Sequence, residues 1–177
     1  DPQPFSSVST FAIWRDTHAH LPDFPNNLTQ FNLGEWQNKL KCSVIVLGKN
    51  PSGHGQGDKF GNYHQAHSND EHLARLFCRD GILDLLSGCY CTDVLKTVRG
   101  GQISLEQISD EVLRFNASLL QHELTMLDFE NLVPRMVVFL GKQADQSGWF
   151  EEFSRRTGFR LPQNTPTTWI YHHSARK

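Results

Sequence analysis

Four short apolar runs punctuate the chain, and each one ends at a glycine or at a group of polar residues. They span residues 44–47, 89–91, 136–140 and 168–171. The first and third runs are apolar at every position rather than at alternate positions, which is typical of strands covered on both faces. The pattern therefore predicts four buried strands.

The segments between these runs have the spacing and the start signals of helices. Capping boxes, in which a serine is followed three residues later by Glu or Gln, begin at Ser68 and Ser104. Apolar positions after Ser104 recur at helical spacing as far as Leu127 and predict the longest helix. Further helices are predicted over residues 142–156 and 29–40.

The alternation of strand and helix is typical of the α/β class, with right-handed crossovers between parallel strands. We expect a three-layer αβα sandwich with a central four-stranded parallel sheet. It would form a single domain over residues 1–177, with residues 1–40 as an N-terminal extension and a helix packed on it. Ligands of such sheets bind beyond the carboxyl ends of the strands, so the residues that follow each strand are the candidates for chemistry.

The composition narrows the class of protein. The chain has 177 residues, of which 38% are hydrophobic and 20% charged, with a formal net charge of −2. These values describe a globular protein and exclude collagen, coiled coil and disorder. The apolar runs are far shorter than the ~18 residues of a membrane helix, so no membrane partner is expected. The near-neutral net charge argues against a protein that coats a polyanion over a broad surface. It is still compatible with a local basic groove that binds nucleic acid.

The cysteines and histidines lack the spacing of disulfides and metal sites. Two cysteines that share a strand, Cys89 and Cys91, would lie about 6.6–6.8 Å apart, well beyond the ~3.5–4.5 Å between the Cβ atoms of a disulfide. With no secretory signal in the sequence, we expect reduced thiols and a cytoplasmic protein. The histidines of segment 64–72 have poor zinc-ligand spacing, so we expect neither a metal nor a cofactor.

The first predicted strand is followed by Gly48-Lys49-Asn50-Pro51-Ser52. Gly48 allows the backbone to turn sharply and to approach a ligand closely. Pro51 restricts Asn50 to extended geometry, which holds the Asn50 amide ready to position a water or a base edge. Ordinary turn chemistry is the alternative explanation of the Asn-Pro pair.

The last predicted strand is followed by His172-His173-Ser174-Ala175-Arg176. This order brings an imidazole to the same edge of the sheet. A neutral imidazole can donate a hydrogen bond to a developing oxyanion, and a charged one stabilises it more strongly. A histidine bonded only to neighbouring backbone is the alternative.

These two segments together resemble the paired motifs of the uracil-DNA glycosylase superfamily, Gly-x-Asp/Asn-Pro and a His-Pro-Ser-like motif near the C-terminus. Residues 90–96 are similar to the family's strand that ends in a base-reading Asn, and residues 137–142 to its apolar strand that ends in Gly. The resemblance covers about residues 42–176, in the family's order. It implies a DNA glycosylase-like hydrolase that cleaves the N-glycosidic bond of an abnormal or unpaired base in DNA repair.

The resemblance also implies roles for individual residues. Asn50 and His172 would be catalytic: Asn50 orients the hydrolytic water, and His172 stabilises the leaving base. The base would be bound by Gly48, Lys49, Pro51, Phe60, Tyr63 and Asp93, with Phe60 or Tyr63 as the stacking ring. The nucleic-acid backbone would be contacted by Ser52, Lys96, Ser174 and Arg176. Such aimed donors stabilise an anionic base without covalent catalysis, after the base has left the duplex stack.

Three departures from the family pattern change the expected ligand. Asp93 replaces the base-reading Asn, and a carboxylate only accepts hydrogen bonds, so it would repel O4 of uracil and favour a guanine-like edge with two donors. An Asp that accepts backbone amides in a turn is the alternative reading of this position. His173 replaces Pro, and Ala175 offers no apolar wedge for opening a duplex. Single-stranded nucleic acid, a free nucleobase or a nucleotide therefore become plausible ligands.

Two other functions stay open beside the glycosylase. The chain would otherwise be a non-catalytic protein that binds a nucleobase, a nucleotide or single-stranded nucleic acid in a retained pocket, or a nucleotide-processing hydrolase. Some superfamily branches hold an iron–sulfur cluster on four cysteines, but the four cysteines here lack any Cys-x2-Cys pair, so no cluster is expected. We expect a monomer, located in the cytoplasm, or in the nucleoid or nucleus if it acts on genomic DNA.

Overall fold

A computed structural model of the protein describes residues 5, 9–11, 41–51, 88–100, 103–127, 136–141 and 148–170. Within them lie five strands and two α-helices, with a 3-10 turn at Leu105–Gln107. In chain order the elements are β1 (Ser9–Phe11), β2 (Lys41–Gly48), β3 (Cys89–Asp93), α1 (Asp110–Met126), β4 (Met136–Leu140), α2 (Gly148–Thr157) and β5 (Thr167–Ile170).

The strands form one sheet in the order β1-β3-β2-β4-β5. Strands β2 to β5 are parallel, and β1 pairs antiparallel with β3. The α/β class and the four-stranded parallel sheet are therefore confirmed. Strand β1 was not predicted, because three residues are too few to produce a recognisable period of hydrophobicity.

Both faces of the sheet are buried at β2, β3 and β4, whereas β5 at the edge is partly exposed. The face that α1 and α2 cover contains Ile45, Leu47, Tyr90, Val137 and Phe139, packed against helix residues such as Leu113, Leu120 and Phe153. The opposite face contains Val44, Val46, Cys89, Cys91, Val138 and Leu140, which are also buried. Cys89 and Cys91 are free thiols, as expected. Neither described helix is both long and apolar enough to cross a membrane.

The longest helix begins at Asp110 and not at Ser104. The predicted capping box at Ser104 is present, but it opens only the 3-10 turn. Ile108 then adopts an extended conformation, with φ −106° and ψ 132°, which ends that turn. Ser109 caps α1 instead, since its side chain accepts a hydrogen bond from the Val112 amide. Two consecutive capping signals thus divide what the sequence pattern presents as one helix.

Arg156 attaches α2 to the start of α1. Its guanidinium donates to the carbonyls of Leu105 and Ile108 over 2.6 and 2.8 Å, and to the carboxylate of Asp110. Of the predicted helix over residues 142–156, the structure describes the part from Gly148 onward. The helices predicted from Ser68 and over residues 29–40 lie outside the described residues.

Candidate active site at the carboxyl edge of the sheet

The strand order changes its direction of winding between β2 and β4, and a crevice for a ligand is expected at the carboxyl ends of these two strands. Strand β3, which follows β2 in the chain, pairs with one edge of β2. Strand β4, which comes next, pairs with the other edge of β2. In parallel α/β sheets, ligands bind outside the carboxyl ends of the strands where the direction of winding reverses in this way. Gly48 ends β2 at this edge of the sheet, and Gly141 follows the end of β4.

The segments that leave β2 and β3 are bonded to each other beyond the strands. We call residues 48–51 the β2 turn and residues 94–100 the β3 loop. Val94 N–H donates to the Gly48 carbonyl over 2.9 Å, and Leu95 N–H donates to the Lys49 carbonyl over 2.8 Å. Gly48 is also the register partner of Asp93. The structure thus brings Gly48, Lys49, Asn50, Pro51, Asp93 and Lys96 to one edge of the sheet.

Asn50 is held by a residue far along the chain as well as by its own turn. Its Nδ2 donates to the Gly100 carbonyl over 2.8 Å and to the Pro51 carbonyl over 3.3 Å. Gly100 has a φ of +102°, a conformation that favours glycine, and its N–H donates to the Pro51 carbonyl. No donor from the described residues contacts the Asn50 Oδ1. The amide is therefore fixed through its nitrogen, and its oxygen is the atom available to accept a hydrogen bond from water.

Lys49 precedes Asn50 in the β2 turn and brings a cationic side chain to this segment. Its side chain is about half-buried, and burial lowers the pKa of its ammonium group below the usual value. It forms no ion pair with any residue that the structure describes. An ammonium in this position suits an anionic or electron-rich part of a ligand.

Asp93 ends β3 and is only 1% exposed. Its backbone carbonyl accepts a hydrogen bond from Lys96 Nζ over 2.8 Å. The residue therefore lies at the edge that the sequence predicted, next to Gly48, but below the surface. At this exposure the Asp93 side chain presents almost no surface to a ligand, which favours a structural role at the end of the strand.

Lys96 is buried, whereas a contact to a nucleic-acid backbone needs an exposed ammonium. Its Nζ lies 2.5 Å from Glu123 Oε2 and donates to Thr92 Oγ1 over 2.8 Å. Burial lowers the pKa of Lys96, and the charges of Glu123 and Asp93 oppose that effect. The ring of Phe5 lies against the ammonium at 5.5 Å. The resemblance of residues 90–96 to the family motif assigned Lys96 to the nucleic-acid backbone, whereas the structure places it in an internal ion pair with Glu123.

Glu123 is the residue that sequence analysis missed. It is fully buried in α1 and accepts hydrogen bonds from Tyr90 Oη over 2.7 Å and from Thr92 Oγ1 over 3.0 Å. A signal was present, because Glu123 and Asn116 both fall on the apolar stripe of α1, where a polar residue is unexpected. Neither residue could be paired from sequence, since their partners lie on a different element.

No family model, curated protein or solved structure matches the chain.

The remaining predicted site residues lie outside the described residues. They are Ser52, Phe60, Tyr63, His172, Ser174 and Arg176. In the described part of the chain, no group of three His, Cys, Asp or Glu side chains is arranged to hold a metal ion. The geometry of the site therefore rests on the β2 turn, the end of β3 and the β3 loop.

Proposed function

We propose that the chain is a DNA glycosylase-like hydrolase with the three-layer αβα architecture of the uracil-DNA glycosylase superfamily. It cleaves the N-glycosidic bond of an abnormal or unpaired base. The observation that best supports this proposal is the Asn50 amide, which is fixed through Nδ2 and leaves Oδ1 as an acceptor in the turn that follows β2, at the carboxyl edge of the sheet. Hydrolysis of a glycosidic bond needs an acceptor of this kind to orient the attacking water.

The proposed reaction uses the residues at this edge without a covalent intermediate. Asn50 Oδ1 accepts a hydrogen bond from water and directs the water oxygen toward C1′ of the sugar. The bond between C1′ and the base nitrogen breaks, its electron pair leaves with the base, and the water oxygen bonds to C1′. The proton released by that water passes to solvent, and the departing base takes up a proton from solvent. His172 donates to the departing base, and the half-buried ammonium of Lys49 lowers the energy of the negative charge there. A site that holds these groups before the reaction has little reorganisation to undergo in the transition state.

The proposed substrate is a base whose edge donates two hydrogen bonds, in single-stranded or locally opened DNA. Asp93 would accept these two bonds, which requires a displacement at the end of β3 because its side chain is 1% exposed in this conformation. Phe60 or Tyr63 would stack on the base. Ser52, Ser174 and Arg176 would contact the nucleic-acid backbone. Lys96 is buried against Glu123 and does not take part in that contact. Ala175 is too small to be inserted between base pairs, so we do not expect this chain to open a stable duplex.

A second candidate function is binding without catalysis. Asp93 in place of an Asn favours this alternative, because a carboxylate does not complement the edge of uracil. Such a protein would keep the pocket for a nucleobase, a nucleotide or single-stranded nucleic acid. In either case we propose a monomer that acts in the cytoplasm, or in the nucleoid or nucleus.

Release of bases from oligonucleotides tests the proposal and separates the two functions. The substrates are single-stranded and duplex oligonucleotides that contain uracil, hypoxanthine, xanthine or a mismatch, and abasic sites are revealed by alkaline cleavage. We expect release from at least one single-stranded substrate, abolished by Asn50→Ala and retained by Gln163→Ala, which alters an exposed amide in the turn before β5. Binding of a substrate without any release would support the non-catalytic alternative.

A further inference from the structure

Helix α1 contains two fully buried polar side chains on its core face. Asn116 and Glu123 are both 0% exposed and lie two helical turns apart, with the equally buried Leu120 between them. Burying an amide and a carboxylate in a core has a large desolvation cost. Apolar side chains of similar volume are often as stable as a buried ion pair, or more stable. Stability alone is therefore a poor explanation for these two residues.

Both side chains bind the segment that leaves β3. Glu123 pairs with Lys96, whose Nζ also donates to the Asp93 carbonyl. Asn116 Oδ1 accepts from Thr97 N–H over 3.0 Å, and its Nδ2 donates to Thr97 Oγ1 over 2.8 Å. Two consecutive residues, Lys96 and Thr97, are thus fixed to the helix.

The opposite side of the same segment holds the β2 turn. Val94 and Leu95 donate to the carbonyls of Gly48 and Lys49, and the Gly100 carbonyl receives the Asn50 amide. The β3 loop therefore lies between α1 and Asn50, with hydrogen bonds to both. A displacement of this loop relative to α1 would move the Gly100 carbonyl and, with it, the side chain of Asn50.

We propose that Asn116 and Glu123 are positioning residues of the candidate site. Acting through the β3 loop, they fix the orientation of the Asn50 amide relative to the sheet. The effect on catalysis rests on the proposed function, whereas the effect on the Asn50 amide does not. Catalysis is sensitive to such displacements, since a misplacement of about 1 Å can reduce a rate about 10²-fold.

The test compares two variants with a control in the same helix face. Asn116→Leu removes both bonds to Thr97, and the pair Lys96→Met with Glu123→Leu replaces the ion pair by apolar side chains. Leu120→Val alters the core between these positions and leaves every bond to the β3 loop in place. The side-chain amide resonances of Asn50 in ¹⁵N-labelled protein, identified by their loss in Asn50→Ala, report the geometry of the amide directly.

We expect the Asn50 amide resonances to shift or broaden in Asn116→Leu and in the apolar pair, and to stay at their wild-type positions in Leu120→Val. Single-turnover base release should fall about 10²-fold in the first two variants, with substrate affinity nearly unchanged. Unchanged Asn50 resonances in a folded Asn116→Leu and in a folded apolar pair would overturn the proposal, as would the same shift in Leu120→Val. If one variant does not fold, the other decides. Shifted resonances in a protein that releases no base would support positioning and contradict the glycosylase.

Discussion

The side-chain amide of Asn50 donates a hydrogen bond to the carbonyl of Gly100 over 2.8 Å, across 50 residues of sequence. This contact decides which atom of Asn50 is available for chemistry, because it engages the nitrogen and leaves the oxygen as an acceptor. It also joins the turn after β2 to the loop after β3, so that the two segments lie together at the carboxyl edge of the sheet. The orientation of the catalytic candidate thus depends on a carbonyl in another segment of the chain.

Replacing Asn50 by Asp tests this contact. Asn50→Asp removes the donor and sets a carboxylate oxygen against the Gly100 carbonyl. We expect the free energy of unfolding to fall by about 1–3 kcal/mol at pH 7, the cost of unsatisfied polar groups that are partly buried. Urea unfolding measures the loss. The control is Gln163→Glu, the same change of amide to acid in an exposed turn, for which a change within about 0.5 kcal/mol is expected. Equal losses in both variants would contradict the role of the Gly100 contact.

The strands and the turn after β2 were predictable because their signals are local. Short apolar runs identified four strands to within three residues of their observed bounds. The order of strand and helix then located the carboxyl edge and the Gly48-Lys49-Asn50-Pro51 turn. Strand β1 was not predicted, since three residues are too few to show an alternation of apolar and polar positions. It is stabilised by pairing with β3.

The polar interior of the site was not predictable, because it depends on contacts between distant residues. Lys96 has the residue type of a surface position, and only its pairing with Glu123 explains its burial. Asn116 and Glu123 stand out as polar residues on the apolar stripe of α1, but their partners could not be found from sequence. The same limit applies to Asn50. The restriction that Pro51 places on Asn50 is readable from the sequence, but the hydrogen bond from the Asn50 amide to the Gly100 carbonyl is not.

The buried ion pair makes a distinct prediction about stability. Lys96→Met leaves the Glu123 carboxylate buried without its counter-charge, so we expect the free energy of unfolding to fall by about 3–5 kcal/mol. Adding Glu123→Leu removes the uncompensated charge and should recover most of that loss. Urea unfolding of the single and double variants at pH 7 measures both effects. A double variant as unstable as Lys96→Met would contradict this account of the pair.

Acid stability depends in part on Asp110 at the start of α1. The hydrogen bond from Arg156 lowers the pKa of the Asp110 carboxyl below its ordinary value of 3.8, and the arginine charge acts in the same direction. A depressed pKa in the folded state contributes stability that is fully present above pH 3.8 and is lost as the pH falls through the folded value.

Urea unfolding between pH 2.5 and 7 of the wild type and of Asp110→Asn tests this pH dependence. We expect the stability difference between them to be largest above about pH 4 and to shrink at lower pH. Gln121→Ala, a change of an exposed residue of α1 that carries no ionisable group, is the control and should leave the shape of the profile unchanged. A difference that stays constant with pH would contradict the assignment to Asp110.

Gly141 follows the end of β4, where two indole rings leave no room for a side chain. A Cβ at this position would lie 3.1 Å from the Trp169 ring and 3.3 Å from Trp149 Nε1. We expect Gly141→Ala to lower the free energy of unfolding by about 1–3 kcal/mol through overpacking and to change the tryptophan fluorescence. Gly148→Ala, where a Cβ would meet nothing within 4 Å, should be neutral or slightly stabilising. If Gly141→Ala and Gly148→Ala had the same free energy of unfolding, the contact between a Cβ at position 141 and the two indole rings would not be destabilising.

The central claim is that Asn50 and His172 serve one hydrolysis, Asn50 by orienting the water and His172 by stabilising the leaving base. Single-turnover base release from a single-stranded oligonucleotide tests it most directly. The proteins to compare are the wild type, Asn50→Ala, His172→Ala and the variant with both changes. We predict release by the wild type, a loss of at least about 10²-fold in each single variant, and a double variant little slower than the worse single one, because residues that act as a unit are not additive. Wild-type rates in either single variant, or no release by the wild type from any base tested, would contradict the claim.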